Sequence, residues 1–152
     1  MRRDDREIAS RLEMESILRE ATVCRIGLCD GGVPYIVPVL FGYRDGSLYF
    51  HSAPEGRKID LLKGNSTVCF EIDVHSEVLR KPGGACRWGL RYRSVMGLGD
   101  ACILQDRCKK VEGLNTIVEH YGGAAQDYAD DVLRRVSVIQ LRIRQMTGKR
   151  SD

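Results

Sequence analysis

The residues of this sequence that most clearly suggest chemistry are two adjacent cations, Arg57 and Lys58, at the predicted start of a short helix. The first turn of a helix favours acidic side chains, because the helix dipole leaves a partial positive charge there. Sequences depart from such local preferences mainly at functional sites. Free backbone N–H groups at a helix start, joined by a guanidinium and an ammonium group, can bind a phosphate group. The sequence therefore predicts a phosphorylated ligand here, and the alternative is a solvated helix start neutralised by Glu55 and Asp60.

Three histidines are present, and one of them has a suggestive position. His51 ends the predicted third strand, just before the segment expected to bind phosphate. A lone histidine is more often structural than catalytic, but this neighbourhood favours a functional role. His75 and His120 have no such neighbours, and we interpret both as surface residues.

Proline and glycine mark two predicted strands. Pro38 lies in the middle of the second strand, where it cannot donate a ladder hydrogen bond. Either that strand lies at a sheet edge or a bound ring lies against its backbone, and the sequence leaves both open. Gly97 and Gly99 alternate along the fifth strand, which indicates the close approach of a ligand or another backbone, or a bend of a barrel.

Composition bounds the kind of protein. With 152 residues, 43% hydrophobic and 30% charged, the chain is predicted to form one soluble domain over 1–152. Its longest apolar run, 33–41, is too short to span a bilayer, and its acid-containing N-terminus does not resemble a secretion signal, so we expect a cytoplasmic location and no membrane partner. The net charge of +3 is spread among acids, which argues against nucleic-acid binding.

The six cysteines predict neither disulfides nor a metal site, because they are scattered and lack the spacing of zinc ligands. In a reducing compartment they would be free thiols. Cys69 and Cys102 lie in apolar strand patterns and are predicted to be small core residues. Cys86, in a loop, is the candidate for a reactive thiol. Ser-His-Asp, Walker and dinucleotide-binding motifs are absent from the sequence.

Periodicity predicts few helices and six strands. The helices are expected at 4–21, 57–63 and 106–121, and the strands at 22–28, 33–43, 47–51, 67–74, 92–104 and 136–146. The 33–43 strand is apolar almost throughout, which predicts burial on both faces, and Asp45-Gly46 predicts a tight hairpin. The polar segment 75–91 is predicted to be a long, functional loop, in which Trp88 either covers a ligand or anchors the loop. This pattern favours a mainly β fold, a small closed antiparallel barrel.

Three stretches in order, PYIVPVLFGYRDGSLYFHSAPEGRKIDLL from Pro34, VCFEIDV from Val68 and YRSVMGLGDA from Tyr92, resemble a known superfamily. It is the flavin-binding split-barrel superfamily typified by pyridoxamine 5'-phosphate oxidase, and the resemblance is closer to its branch related to the Nim nitroimidazole-resistance proteins. The similarity covers nearly the whole chain. It implies a six-stranded antiparallel split barrel of the FMN-binding type.

The resemblance also implies a homodimer with FMN at the subunit interface, where each barrel supplies part of both sites. Arg57 and Lys58 would hold the phosphate, with help from Ser52. The remaining implied flavin contacts are Pro38 and Val39 along the isoalloxazine, Phe50 and His51 near the ring system, and Ser94, which stands where the oxidase branch has a glutamine. His51 also matches a histidine that the Nim-like branch places beside the flavin and substrate.

The chain lacks the C-terminal Trp and Arg motif of true pyridoxamine phosphate oxidases, which argues against vitamin B6 oxidation. The leading hypothesis is an FMN-dependent oxidoreductase that passes electrons from NAD(P)H or another donor to a small acceptor such as a nitroimidazole, with His51 as the catalytic residue. Two alternatives stay open. One is a haem-binding protein with His51 as an axial ligand, and the other is a flavin-binding sensor or storage dimer without turnover.

Overall fold

The computed structural model describes residues 4–151, so residues 1–3 and 152 of the predicted one-domain span lie outside them. Within the described residues, eight strands form one antiparallel sheet in the order β3-β2-β6-β7-β8-β5-β4, and β1 pairs with β8. The strands are β1 Glu7–Ile8, β2 Cys24–Asp30, β3 Val33–Val39, β4 Phe41–Arg44, β5 Ser47–Ser52, β6 Thr67–Leu79, β7 Gly89–Ile103 and β8 Ser137–Ser151. The helices are α1 Arg11–Glu20, α2 Arg57–Gly64, α3 Arg107–His120 and α4 Asp130–Arg134, and short 3-10 turns lie at Asp4–Arg6 and Ala85–Arg87.

The mainly β antiparallel fold is confirmed, and each of the six predicted strands has an observed counterpart. The N-terminal helix is shorter than predicted, because α1 begins only after Ser10, whose hydroxyl accepts a hydrogen bond from the Glu13 N–H at 3.3 Å. The preceding residue Ile8 is buried and pairs with Gly148 of β8. The prediction of one continuous helix was therefore wrong over 7–10, since periodicity does not report a partner strand that lies far along the chain.

The predicted second strand is two strands, β3 and β4, which are separated at Leu40. Strand β3 lies at one end of the sheet order and pairs only with β2. Ile36 is 67% exposed, so one chain by itself does not bury this strand on both faces. An edge position accounts for Pro38, because no further neighbour requires its missing N–H. The Asp45-Gly46 hairpin is confirmed, and both residues have positive φ angles, of 47° and 74°.

The predicted loop over 75–91 is largely a hairpin arm, so that prediction was wrong. Strand β6 continues to Leu79 and β7 begins at Gly89, after a register shift between Val74 and Glu77. This bulge interrupts the alternation of apolar residues, and the sequence pattern ends there for that reason. The remaining turn is held by Trp88, whose indole N–H donates to the Lys81 carbonyl at 3.2 Å.

Two apolar clusters flank the sheet. The barrel interior contains the fully buried rings of Phe41, Phe50 and Phe70, and a smaller cluster lies where α3 covers β5 and β8. Cys69 and Cys102 are exposed, so their assignment to the core was wrong: Cys69 alternates with the inward-facing Val68 and Phe70. No helix in the described part of the chain is long and apolar enough to cross a bilayer.

Close backbone approaches fix how the layers fit. A Cβ added at Gly42 of β4 would lie 2.2 Å from the Thr116 carbonyl oxygen of α3. At Gly97 and Gly99 it would lie 2.5 Å and 2.3 Å from carbonyl oxygens of β8, where the register shifts after Leu98. Of the explanations open for these two glycines, the approach of another backbone at a barrel bend is the one that the structure contains.

The two other histidines, His120 and His75, each contact a residue from a distant part of the chain. His120 Nε2 lies 2.7 Å from the Ala21 carbonyl oxygen, and its ring packs on Phe41 with centroids 4.6 Å apart. His120 is therefore half-buried, and its assignment to the surface was wrong. His75 is exposed as predicted, and its Nε2 contacts the Glu20 carboxylate.

Candidate functional site

The N-terminus of α2 presents unbonded backbone donors. The helix follows Gly56, whose φ of 113° favours glycine, and no side chain caps the first turn. The Gly56 carbonyl accepts hydrogen bonds from the N–H groups of Ile59 and Asp60, at 2.8 Å and 3.1 Å. The N–H groups of Arg57 and Lys58 have no acceptor among the described residues, as expected for the first positions of a helix. Both are free to bind an anion.

The two cations at this helix start have no carboxylate partner in the described part of the chain. Neither Glu55 nor Asp60 lies within ion-pair distance, so the local neutralisation expected for an inert helix start does not occur. The Arg57 guanidinium lies over the Tyr35 ring, 4.6 Å from its centroid. Burial lowers the pKa of Lys58, because desolvation penalises the charged form. These features make the start of α2 an electropositive site.

Tyr35 is a site residue that the sequence interpretation missed. Its neighbours on the same face of β3, Val37 and Val39, also pack against the barrel core. Tyr35 thus lies on the core-facing side of β3, within reach of Arg57 at the start of α2. The alternation of Tyr35, Val37 and Val39 with Pro34, Ile36 and Pro38 was the signal that could have identified this face.

Strand β5 leads directly into the loop before α2. Phe50 is fully buried and pairs with Phe41 and Ile139, whereas His51 is exposed and pairs with Val138. Neither the His51 ring nor the Ser52 hydroxyl has a hydrogen-bond partner among the described residues. The predicted residues His51, Ser52, Arg57 and Lys58 therefore lie on one continuous segment, with polar groups available to a ligand.

Of the other predicted contacts, Pro38 and Val39 lie on opposite faces of β3. Val39 is buried in the core, and Pro38 is exposed on the outer face. Ser94 of β7 also lies on an outer face, opposite Asp73, while its neighbour Val95 is fully buried inside. Within one chain the structure does not bring Ser94 to the core side of the sheet, where α2 and Tyr35 pack.

Comparisons with known proteins match this fold along most of the chain. A family profile described as pyridoxamine 5'-phosphate oxidase matches residues 10–150. The crystal structure of a candidate 5-nitroimidazole antibiotic resistance protein from Bacteroides thetaiotaomicron is 35% identical, with a TM-score of 0.83. The alignment covers 94% of this chain and 85% of that chain.

More distant proteins share the fold. A FAD-binding protein from Mesorhizobium loti is 23% identical, with a TM-score of 0.72 over 97% of this chain and 98% of that chain. A flavocytochrome from Azotobacter vinelandii is 20% identical, with a TM-score of 0.84 over 100% of this chain and 72% of that chain. An uncharacterized protein of Rhizobium meliloti is 32% identical over 65 residues, which are 43% of this chain and less than half, 42%, of that protein.

Proposed function

The chain belongs to the pyridoxamine 5'-phosphate oxidase family, and on this premise we propose that it is a flavoprotein that binds FMN through Arg57 and Lys58. The observation that supports this most is the pair of cations without a carboxylate partner at the uncapped start of α2. A phosphate monoester carries a charge of about −1.5 to −2 at neutral pH. The negative charge of such a group would balance both cations. Its oxygens would accept hydrogen bonds from the free N–H groups of the first helical turn.

The remaining family contacts would come from the loop before α2, from the end of β5 and from β3. Ser52 would assist Arg57 and Lys58 from the loop, and the backbone at Phe50 and His51 would lie near the flavin. Pro38 and Val39 would pass along the isoalloxazine. FMN would supply the redox chemistry, and the protein would bind and orient it.

We propose that the protein is a homodimer with FMN at the interface. Exposed apolar side chains on β3 and β7 support this, since Ile36 is 67% exposed, Val33 57% and Met96 51%. The outer-face position of Ser94 is also explained if Ser94 contacts the flavin bound to a second copy of the chain. The dimer would then contain two sites, each built from both barrels.

The proposed reaction is reduction of a small acceptor, with a nitroaromatic as the first candidate and NAD(P)H as the donor. The acceptor class rests on the 35% identical relative and its description as a candidate nitroimidazole resistance protein. His51 is the proposed catalytic residue, because its ring is exposed and unbonded among the described residues. It would orient the acceptor or deliver a proton to it.

The absorption spectrum of the purified protein, before and after incubation with FMN, tests cofactor binding. We expect flavin bands, and we expect Arg57→Ala with Lys58→Ala to weaken FMN binding by about a hundredfold or more, since each hydrogen bond to a charged group contributes about 1.5–3 kcal/mol. The matched control is Lys63→Ala in the last turn of the same helix, which should bind FMN normally. A protein that cannot be reconstituted with FMN, or one with a Soret band instead, overturns the proposal.

Turnover requires a second measurement. Stopped-flow reduction of the FMN-loaded protein by NADH or NADPH, followed by a panel of nitroaromatic acceptors, should show reoxidation faster than that by dioxygen alone. His51→Ala should slow this reoxidation and leave FMN bound. If no acceptor accelerates reoxidation, the protein is a flavin-binding sensor or storage protein.

A further inference from the structure

The β6–β7 hairpin extends past its neighbouring strands as a two-stranded arm, which comprises residues 77–91. Strand β2 pairs with β6 only at 69–71, and β8 pairs with β7 only from Tyr92 onwards. The two strands of the arm therefore pair only with each other. The proposed contacts Ser94 and Met96 lie outside the arm, in the part of β7 that pairs with both β6 and β8.

The tip of the arm, residues 80–88, has three cations that no carboxylate compensates. The segment 78–93 contains five cations and no acidic residue. Two of these cations form ion pairs with acidic residues outside the segment. The other three, Arg80, Lys81 and Arg87, have no carboxylate partner among the described residues. All three are exposed, so the tip presents a concentrated positive charge to the solvent.

Apolar side chains lie beside these cations. Trp88 is 45% exposed, and it is the only tryptophan of the chain. The guanidinium carbon of Arg80 lies 5.5 Å from the centre of the Trp88 ring, and the indole N–H donates to the Lys81 carbonyl. Val78 and Leu90 form a cross-strand pair next to the tip, and they are 53% and 46% exposed. The arm therefore combines a basic tip with an exposed apolar surface.

We propose that this arm binds the surface of an anionic phospholipid bilayer. The negative potential of such a surface attracts Lys and Arg side chains. Tryptophan is enriched where a bilayer meets water, because its ring is apolar and its N–H is polar. The three cations of the tip would contact lipid phosphates, while Trp88 and the pair of Val78 and Leu90 would lie at the level of the headgroups.

The apolar part of the arm favours a bilayer over a nucleic acid as the partner. Both offer phosphate groups to the cations, but only a bilayer can bury the aliphatic side chains of Val78 and Leu90. The expectation of no membrane partner rested on the absence of a spanning segment from the sequence, and a surface contact does not require one. The proposal is independent of the proposed flavin chemistry.

The emission of the single tryptophan reports directly on the arm. The full chain, with and without FMN, is titrated in about 0.1 M salt with vesicles of phosphatidylcholine that contain about 30% phosphatidylglycerol. The matched vesicles contain phosphatidylcholine alone. We expect the Trp88 emission to move to shorter wavelength with the anionic vesicles, and the protein to sediment with them. Binding to the neutral vesicles should be at least about tenfold weaker.

The triple variant Arg80→Gln, Lys81→Gln and Arg87→Gln should bind the anionic vesicles about a hundredfold more weakly, as expected for the loss of three cations near the surface. Trp88→Ala, measured by sedimentation, should also weaken binding. This second variant keeps the proposal testable if the triple variant does not fold. Thermal unfolding reports whether each variant is folded.

The matched control removes the same charge from other exposed positions, by Lys63→Gln, Lys109→Gln and Arg134→Gln. This control should bind the anionic vesicles within about twofold of the wild type, because its changes lie outside the arm. An equal loss of binding in both triple variants would show that only the overall charge matters, and it would overturn the proposal.

Four further results would overturn the proposal. They are equal binding to anionic and neutral vesicles, unchanged binding in the folded tip variant, sedimentation without a shift of the Trp88 emission, and release from the vesicles by an equal concentration of DNA phosphate. The third would show that the arm is not at the lipid surface. The last would assign the arm to a nucleic acid.

Discussion

Gly42→Ala should destabilise the fold, because β4 and α3 approach each other backbone to backbone at this glycine. The new methyl group would lie 2.2 Å from the Thr116 carbonyl oxygen and 2.8 Å from the Ile117 nitrogen. An ordinary contact needs about 3.4 Å, so α3 would have to retreat by roughly 1.2 Å, and no flexible side chain can absorb this. Overpacking costs about 1–3 kcal/mol, and rigid backbone on both sides favours the upper end.

The measurement is the free energy of unfolding from urea denaturation, with the melting temperature as a second readout. A loss of about 3 kcal/mol corresponds to a fall of about 6–12 °C for a chain of this size. Gly64→Ala is the matched control, because a Cβ there meets nothing within 4 Å and the φ angle is not positive. It should be neutral or stabilising by up to about 1 kcal/mol. A difference of about 0.5 kcal/mol is usual for surface changes. If the free energy of unfolding of Gly42→Ala lies within that difference of the wild-type value, the close-approach reasoning is wrong.

Three further predictions concern single side chains. Burial lowers the pKa of Lys58, and a bound phosphate favours its charged form, so FMN affinity should fall as pH rises through that pKa. Fluorescence titrations over a range of pH measure this affinity. If Lys58→Gln shows the same fall, the prediction is contradicted. Tyr35→Leu removes the ring beneath Arg57 and should weaken FMN binding about two- to fivefold, measured in the same titration, and an unchanged Kd would count against the contact. Burial raises the pKa of the Cys24 thiol, so Cys24 should react slowly with a thiol-labelling reagent. Mass spectrometry of the labelled native protein should find Cys24 unmodified and the exposed Cys86 modified. Early labelling of Cys24 would disprove its burial.

Features specified by neighbouring residues could be predicted from the sequence. The turn at Asp45-Gly46 needs positive φ angles that these residue types supply, and α3 begins after Asp106, whose side chain accepts from the Lys109 N–H. The cations at the start of α2 could also be identified from the sequence, since the preference for acidic side chains in the first turn of a helix is local. The predicted limits of α2 and α3 therefore agree with the structure to within about one residue.

Features that depend on a distant partner could not be predicted in this way. Ile8 is in a strand because β8 lies beside it, and His120 is half-buried because the Ala21 carbonyl is within reach. In the same way, the contact of Tyr35 with Arg57 depends on the packing of α2 against β2, the neighbour of β3. Strand alternation could have placed Cys69 outside the core, since its neighbours Val68 and Phe70 both face inward.

The outer edge of β3, one of the two end strands of the sheet, is chemically unsuited to pairing with a further strand. Pro34 and Pro38 lie on β3 at positions of the same parity, and the β2 ladder tolerates them only where their nitrogens point away from it. Two donor positions along the outer rim are therefore missing, while the apolar Ile36 between them is exposed. A chain with such an edge can bury its apolar side chains against another surface but is a poor template for edge-to-edge growth into fibrils.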